Sequence, residues 1–278
     1  MQKLFIFFLS FGILLKAAKA QELFVLAEPA SNMPAHSLSA KLSYHTPVSK
    51  YSSDYLQRYT PEIMFGLNKN WMLHLSSSFS NFYSPQLRWE SVKTYAKYRF
   101  YSNDEVHRHF RMAAFAEASY TRNPFYYGEL TLDGDNSGAQ AGVIATQLVN
   151  KLAVSGTASV IKVFADRYQH VHHLGHSIHA FSYTVSAGYL LFPVNYADYR
   201  QTNVNLYLEA VGMKGFEMGD YMVDLAPALQ FIFNSNFKIN LGARLQLGSN
   251  MRRIGEQHYS VALERTFLGA LKRHKKKV

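Results

Sequence analysis

The chain has 278 residues, 48% of them hydrophobic, 15% aromatic and 17% charged, with a formal net charge of +10. It has no cysteine, which excludes disulfide stapling and structural zinc of the cysteine type. Lys3, Lys16 and Lys19 sit in the first twenty residues, and Lys272, Arg273, Lys275, Lys276 and Lys277 in the last seven; the body between is close to neutral, so a basic nucleic-acid-binding face is not expected.

In chain order, the first element is a charged start (MQK), a short apolar run (LFIFFLSFGILL) and Ala18-Lys19-Ala20, a small-x-small site. It reads as a secretory signal over 1–20, cut before Gln21, because the run is shorter than the ~20 residues of a spanning helix. A short segment, 21–35, follows. From residue 36 the dominant signal is alternation of period two. HSLSAKLSYH (36–45) puts Leu38, Ala40, Leu42 and Tyr44 on one face, with Lys41 on the other. YTPEIMFGL (59–67) and WMLHLSSSF (71–79) oppose Ile63, Phe65, Leu73 and Leu75 to Glu62, His74 and Ser76. KTYAKYRF (93–100) and FRMAAFAEASY (110–120) continue the pattern. So do 139–149, 152–164, 178–191, 203–210, 221–233, FKINLGARLQLG (237–248) and 258–267.

That makes twelve strands, most of nine or more residues. Strands of soluble proteins are nearer 5–6 residues, whereas a tilted transmembrane strand needs about 9–11. Short connections (68–70, 102–107, 150–151, 193–200, 234–236) alternate with generally longer ones (46–57, 81–87, 123–138, 166–177, 212–220, 249–257). This is the rhythm of outer-membrane barrels, with tight periplasmic turns and longer external loops. The expected fold is all-β, a single antiparallel up-and-down transmembrane barrel over 36–267, with a basic tail over 268–278. Pro61 and Pro227 fall inside strands and read as local bulges or strand ends.

The RYTPEIMFGLNKNW hairpin and the closing YSVALERTF strand, within this architecture, resemble bacterial outer-membrane barrels. The chain is similar to channels of the phenol meta-pathway type, distant relatives of the fatty-acid channel family. The resemblance implies location in the outer membrane, partnership with its lipid and with the barrel assembly machinery, and no cofactor. In that family the chain usually ends on an aromatic residue; Phe267 matches, but eleven residues follow it. A full N-terminal hatch is missing, and QELFVLAEPASNMPA (21–35) tucks at most part-way into the lumen.

Parity assigns Lys41, Lys93, Lys97, Arg99, Arg111, Lys238 and Arg244 to the lumen, with Glu62, Glu117, Glu209, Asp224 and Glu264. Mixed charges of this kind line a narrow pore with a mild anion preference, or neutralise one another in a sealed one. The expected function is therefore passive movement of small molecules. The alternative is a surface barrel that binds metal or a partner through its loops. For that, His170, His172, His173, His176 and His179 are the candidate ligands of a transition metal. An enzyme is not expected: Ser76 and His74 share the lumen face, where they cannot attack lipid. Trp71, Trp89, Tyr59, Tyr98, Phe100, Tyr120, Tyr189, Tyr221 and Phe267 fit interfacial girdles.

Overall fold

The computed structural model describes residues 26–51, 54–164, 176–193 and 200–272. The signal segment, His170, His172, His173 and the end of the basic tail lie outside the described residues. Twelve strands form one closed antiparallel barrel in which each pairs with its sequence neighbours and β1 meets β12. They are β1 (Ser37–Ser49), β2 (Arg58–Gly66), β3 (Trp71–Ser80), β4 (Arg88–Glu105), β5 (Arg108–Thr121), β6 (Gly138–Val149), β7 (Leu152–Val163), β8 (His179–Phe192), β9 (Asn203–Gly215), β10 (Tyr221–Phe233), β11 (Phe237–Ser249) and β12 (Gly255–Phe267). Closure leaves no unpaired edge, which backbone groups require where no water can reach them.

The alternation in the sequence becomes inside against outside. In β10 every even residue from Met222 to Ile232 is buried. Outside, Leu42, Ile63, Leu75, Val160, Leu208, Leu241 and Leu263 are exposed. Exposed branched aliphatic side chains on every side of a closed barrel make sense only in a hydrocarbon medium. Aromatic pairs edge this belt. Trp71 stacks across the strands on Tyr98 at 4.8 Å near the short-turn end. Tyr44 and Tyr59 meet at 5.2 Å toward the long-loop end, where Phe79 and Trp89 are also register partners.

Two sequence expectations need correction. Neither proline ends a strand or makes a bulge. Pro61 pairs with Leu42 and Pro227 with Leu208. Each lies at a two-residue gap in the ladder on its other side, toward β3 and β11 respectively, because its nitrogen has no hydrogen to donate there. The second correction concerns 102–107. The β4–β5 ladder runs on to Glu105 opposite Arg108, and only Val106 and His107 turn, His107 with φ of 61°. Past the membrane both faces of a hairpin meet water, so alternation no longer marks the strand.

Candidate functional site

The barrel interior is the candidate site. Of the charged residues assigned to it by parity, Lys97, Glu209, Asp224, Lys238 and Glu264 are buried, and most of the set are committed to partners instead of lining an open bore. Many of those partners come from two segments that lie inside the barrel.

The first is the chain before β1. The amides of Leu26 and Ala27 donate to the Glu209 carboxylate at 2.9 and 2.8 Å, and the amide of Ala30 donates to Thr146 Oγ1 at 2.9 Å. Lys97 is wholly buried. Its ammonium donates to the carbonyls of Pro29 and Ser31 at 2.7 and 2.9 Å and to Glu28 Oε2 at 3.1 Å. Arg111 reaches Ser31 Oγ at 3.0 Å. Met33 packs with Met64 and Met72. Residues 26–33 are thus held to β3, β4, β5, β6 and β9 by side chains, with no strand ladder. Burial alone would raise the Glu28 carboxyl, but Lys97, His74 and Lys41 outweigh it and hold it at about 2.

Beside this segment the wall keeps a polar cavity of about 50 Å³, bounded by Glu28, Lys41, Met64, Gln230, Lys238 and Glu264. Lys238 pairs with Glu264 at 3.1 Å, and His74 Nδ1 lies 3.3 Å from Glu62. A cavity of this size is room for water molecules, not for a solute.

The second segment is 122–137, between β5 and β6. The sequence marks it as an outer loop; the structure turns it into the barrel. Leu130 and Leu132 are buried with Phe125, Ile161, Val163, Met213 and Met222. Its acids meet the bases of the wall. Asp133 pairs with Lys93, which also lies 3.4 Å from Glu117. Asp135 pairs with Arg58 at 2.7 Å, and Arg58 also meets Glu90 at 3.0 Å. Glu129 takes Arg244 at 2.8 Å and Arg253 at 2.7 Å. Arg253, 2% exposed, binds Asp224 as well, through both terminal nitrogens at 2.7 and 2.6 Å. Burial favours a neutral Glu129, yet the two arginines pull its carboxyl well below the usual range. Arg99 faces inward on β4 without a carboxylate at ion-pair distance among the described residues.

Sequence reasoning missed Glu28, Arg58, Glu90, Glu129, Asp133, Asp135 and Arg253. A signal existed: the parity set holds seven bases against five acids, and GELTLDGDN (128–136) carries the acids that balance it.

Of the histidine set, His176 lies edge-on to Phe125 and His179 bonds Glu217. Among the described residues no group of three or more His, Cys, Asp or Glu is placed to hold a metal. His74 and Ser76 are both buried on the inner face.

No known family profile matches the sequence, and no curated protein matches it either. Solved structures do match in shape. A KdgM porin superposes with a TM-score of 0.54 at 11% identity, covering 82% of this chain and 99% of the porin. An outer membrane channel from Pseudomonas putida F1 gives 0.56 at 12% identity, covering 88% of this chain and all of that one. The chain has the outer-membrane β-barrel fold. In such a barrel both termini and the short turns face the periplasm and the long loops face outward. The N-terminal segment enters the barrel from the end that carries the short turns, and loop 122–137 from the end that carries the long ones.

Proposed function

We propose that the protein is a passive outer-membrane channel for small polar molecules, narrowed by its own N-terminal segment and by the β5–β6 loop. The observation that carries this reading is the way residues 26–33 are held. A structural core would share the ladder or bury a continuous apolar face. Here a strand-free segment is fastened by Glu209, Thr146 and Lys97 inside a wall rich in charged residues. A segment fastened at a few polar points can leave without unfolding the sheet, and what it leaves is a charged bore. Withdrawal frees Lys97 and removes Glu28, while Arg111 keeps its ion pair with Asp104 at 2.9 Å; the net change favours anions at the end that carries the short turns.

Single-channel conductance in planar bilayers tests this. The mature chain and a variant lacking residues 22–33 are refolded and checked for the heat-dependent mobility shift of a closed barrel. The expected result is small or intermittent current from the intact chain and larger, steady steps from the shortened one, with a reversal potential displaced toward anions. A folded, shortened barrel that passes no current refutes the channel reading.

A further inference from the structure

Side chains from four of the longer loops, the inward-turned one among them, come together. Tyr51 comes from the β1–β2 loop, Tyr83 from β2–β3's neighbour, the β3–β4 loop, Tyr126 and Tyr127 from the β5–β6 loop, and Arg252 from the β11–β12 loop. Tyr127 is the hub. Its ring lies 6.3 Å from Tyr51 with an interplanar angle of 28°, 5.8 Å from Tyr83, and 5.1 Å from Tyr126 at a right angle. The Arg252 guanidinium carbon sits 4.0 Å from the Tyr126 ring centre and 5.4 Å from that of Tyr51. Tyr51 and Tyr126 remain 54% and 43% exposed.

The two neighbouring arginines are treated differently. Arg253 is buried and saturated with carboxylates. Arg252 makes one side-chain hydrogen bond among the described residues, to the Tyr126 hydroxyl, and no carboxylate there lies at ion-pair distance. A guanidinium has five N–H donors in a planar fork, so most of its donors stay available to a ligand. The loops that carry the patch are tied together before any ligand arrives. Gly128 N bonds Arg252 O at 2.8 Å, Lys50 N bonds Ile254 O at 3.1 Å, and Asn81 N bonds Gln57 O at 3.2 Å. Tyr83 is fixed by its hydroxyl on Asp135 Oδ1 at 2.9 Å.

We propose that this patch is a binding site for small aromatic carboxylates. The carboxylate takes the open fork of Arg252, and the ring stacks on the faces of Tyr51 and Tyr127. Those two rings are already near parallel, and a separation of about 7 Å, little more than they have, admits a third ring at van der Waals contact. The chemistry selects this class. An inorganic anion uses the arginine and leaves the rings idle. An uncharged aromatic uses the rings and leaves the fork unpaired. A sugar acid offers no flat face to the clamp. The site goes beyond the channel reading, and its occupancy is read without any current.

The test is calorimetric titration of the mature chain in lipid nanodiscs with naphthoate, against empty nanodiscs as the blank. One saturable site per barrel is expected, with naphthalenemethanol and glucuronate each binding at least about tenfold more weakly. Arg252→Gln lowers naphthoate affinity about tenfold or more, and Tyr127→Leu severalfold. Lys50→Gln, which removes a nearby charge at the same mouth, leaves it within about twofold. Each variant is checked by its heat-dependent mobility shift. No saturable binding above the blank, glucuronate binding as tightly as naphthoate, or unchanged affinity in a folded Arg252→Gln barrel each overturns the proposal. The ligand comparison on the unaltered chain decides the matter even if a variant does not fold.

Discussion

Replacing Lys97 with Met isolates what fastens the N-terminal segment. The ammonium is fully buried and serves three acceptors, at 2.7, 2.9 and 3.1 Å. Removing one member of a buried ion pair costs about 3–5 kcal/mol. The Glu28 side chain is 32% exposed, so water relieves part of that cost; the expected loss is about 2–4 kcal/mol. It falls on the docking of residues 26–33, because the β4 ladder through Lys97 is made by backbone groups that the substitution leaves alone. At about 1.4 kcal/mol per factor of ten, docking weakens about 30- to 1,000-fold. Hydrogen exchange reads this at the amides of Leu26, Ala27 and Ala30, which bond Glu209 and Thr146, not Lys97. Their exchange should accelerate by that factor while strand amides stay protected. Glu28→Gln, which keeps both carbonyl contacts, should accelerate it about tenfold or less. Unchanged protection of the three amides in a folded Lys97→Met barrel refutes the argument.

Acid should release the same segment. The docked Glu28 carboxyl is held at about 2, below its ordinary 4.5, so the docked state binds fewer protons than the free one. Its contribution is complete above 4.5 and is lost as pH falls from there toward about 2; protection of Ala27 that stays flat across that window counts against it, and Glu28→Gln should remove the dependence. Arg253→Met leaves Arg244, at 2.6 Å from Asp224 and 2.8 Å from Glu129, as the one guanidinium shared by two buried acids. It should cost about 3–5 kcal/mol, seen as a lower midpoint in urea unfolding from bilayers; a midpoint equal to that of the unaltered chain refutes the network. On the outer face, Leu241→Arg should cost about 2–4 kcal/mol in the same assay if Leu241 lies near the bilayer midplane. No loss there would mean that the faces of β11 are assigned the wrong way round.

The strands were legible because a transmembrane strand writes its two solvents into alternate residues. Phe237 to Gly248 shows the rule in the sequence, and β11 follows it over Phe237 to Leu241, while near its end the ladder to β10 shifts register past Leu247. Parity also sorted Lys97, Glu209 and Arg244 to the inside, since an ionised side chain has no tolerable place in hydrocarbon. What parity does not carry is pairing. Lys97 finds Glu28 across 69 positions and Leu26 finds Glu209 across 183. Such contacts depend on the barrel's closure and stagger, which no local pattern states. The inward course of 122–137 was hidden for a related reason. Its leucines and acids look like an ordinary mixed loop until the excess of bases on the wall is counted against it. The extent of β4 was missed because Tyr101 to Glu105 lie beyond the belt, where nothing enforces alternation.

The berth of the N-terminal segment also fixes an order of assembly. Residues 26–33 are made ahead of every strand, but their anchors belong to β4, β5, β6 and β9. The anchors on β4, β5 and β6 lie on neighbouring strands, with Arg111 and Thr146 register partners, but Glu209 comes opposite them only once β9 has been added, and β1 closes on β12, the last strand made. The first described stretch of the chain is therefore among the last to find its place. Exchange at the Leu26 and Ala27 amides, which donate to Glu209, reports when β9 has come round to that segment.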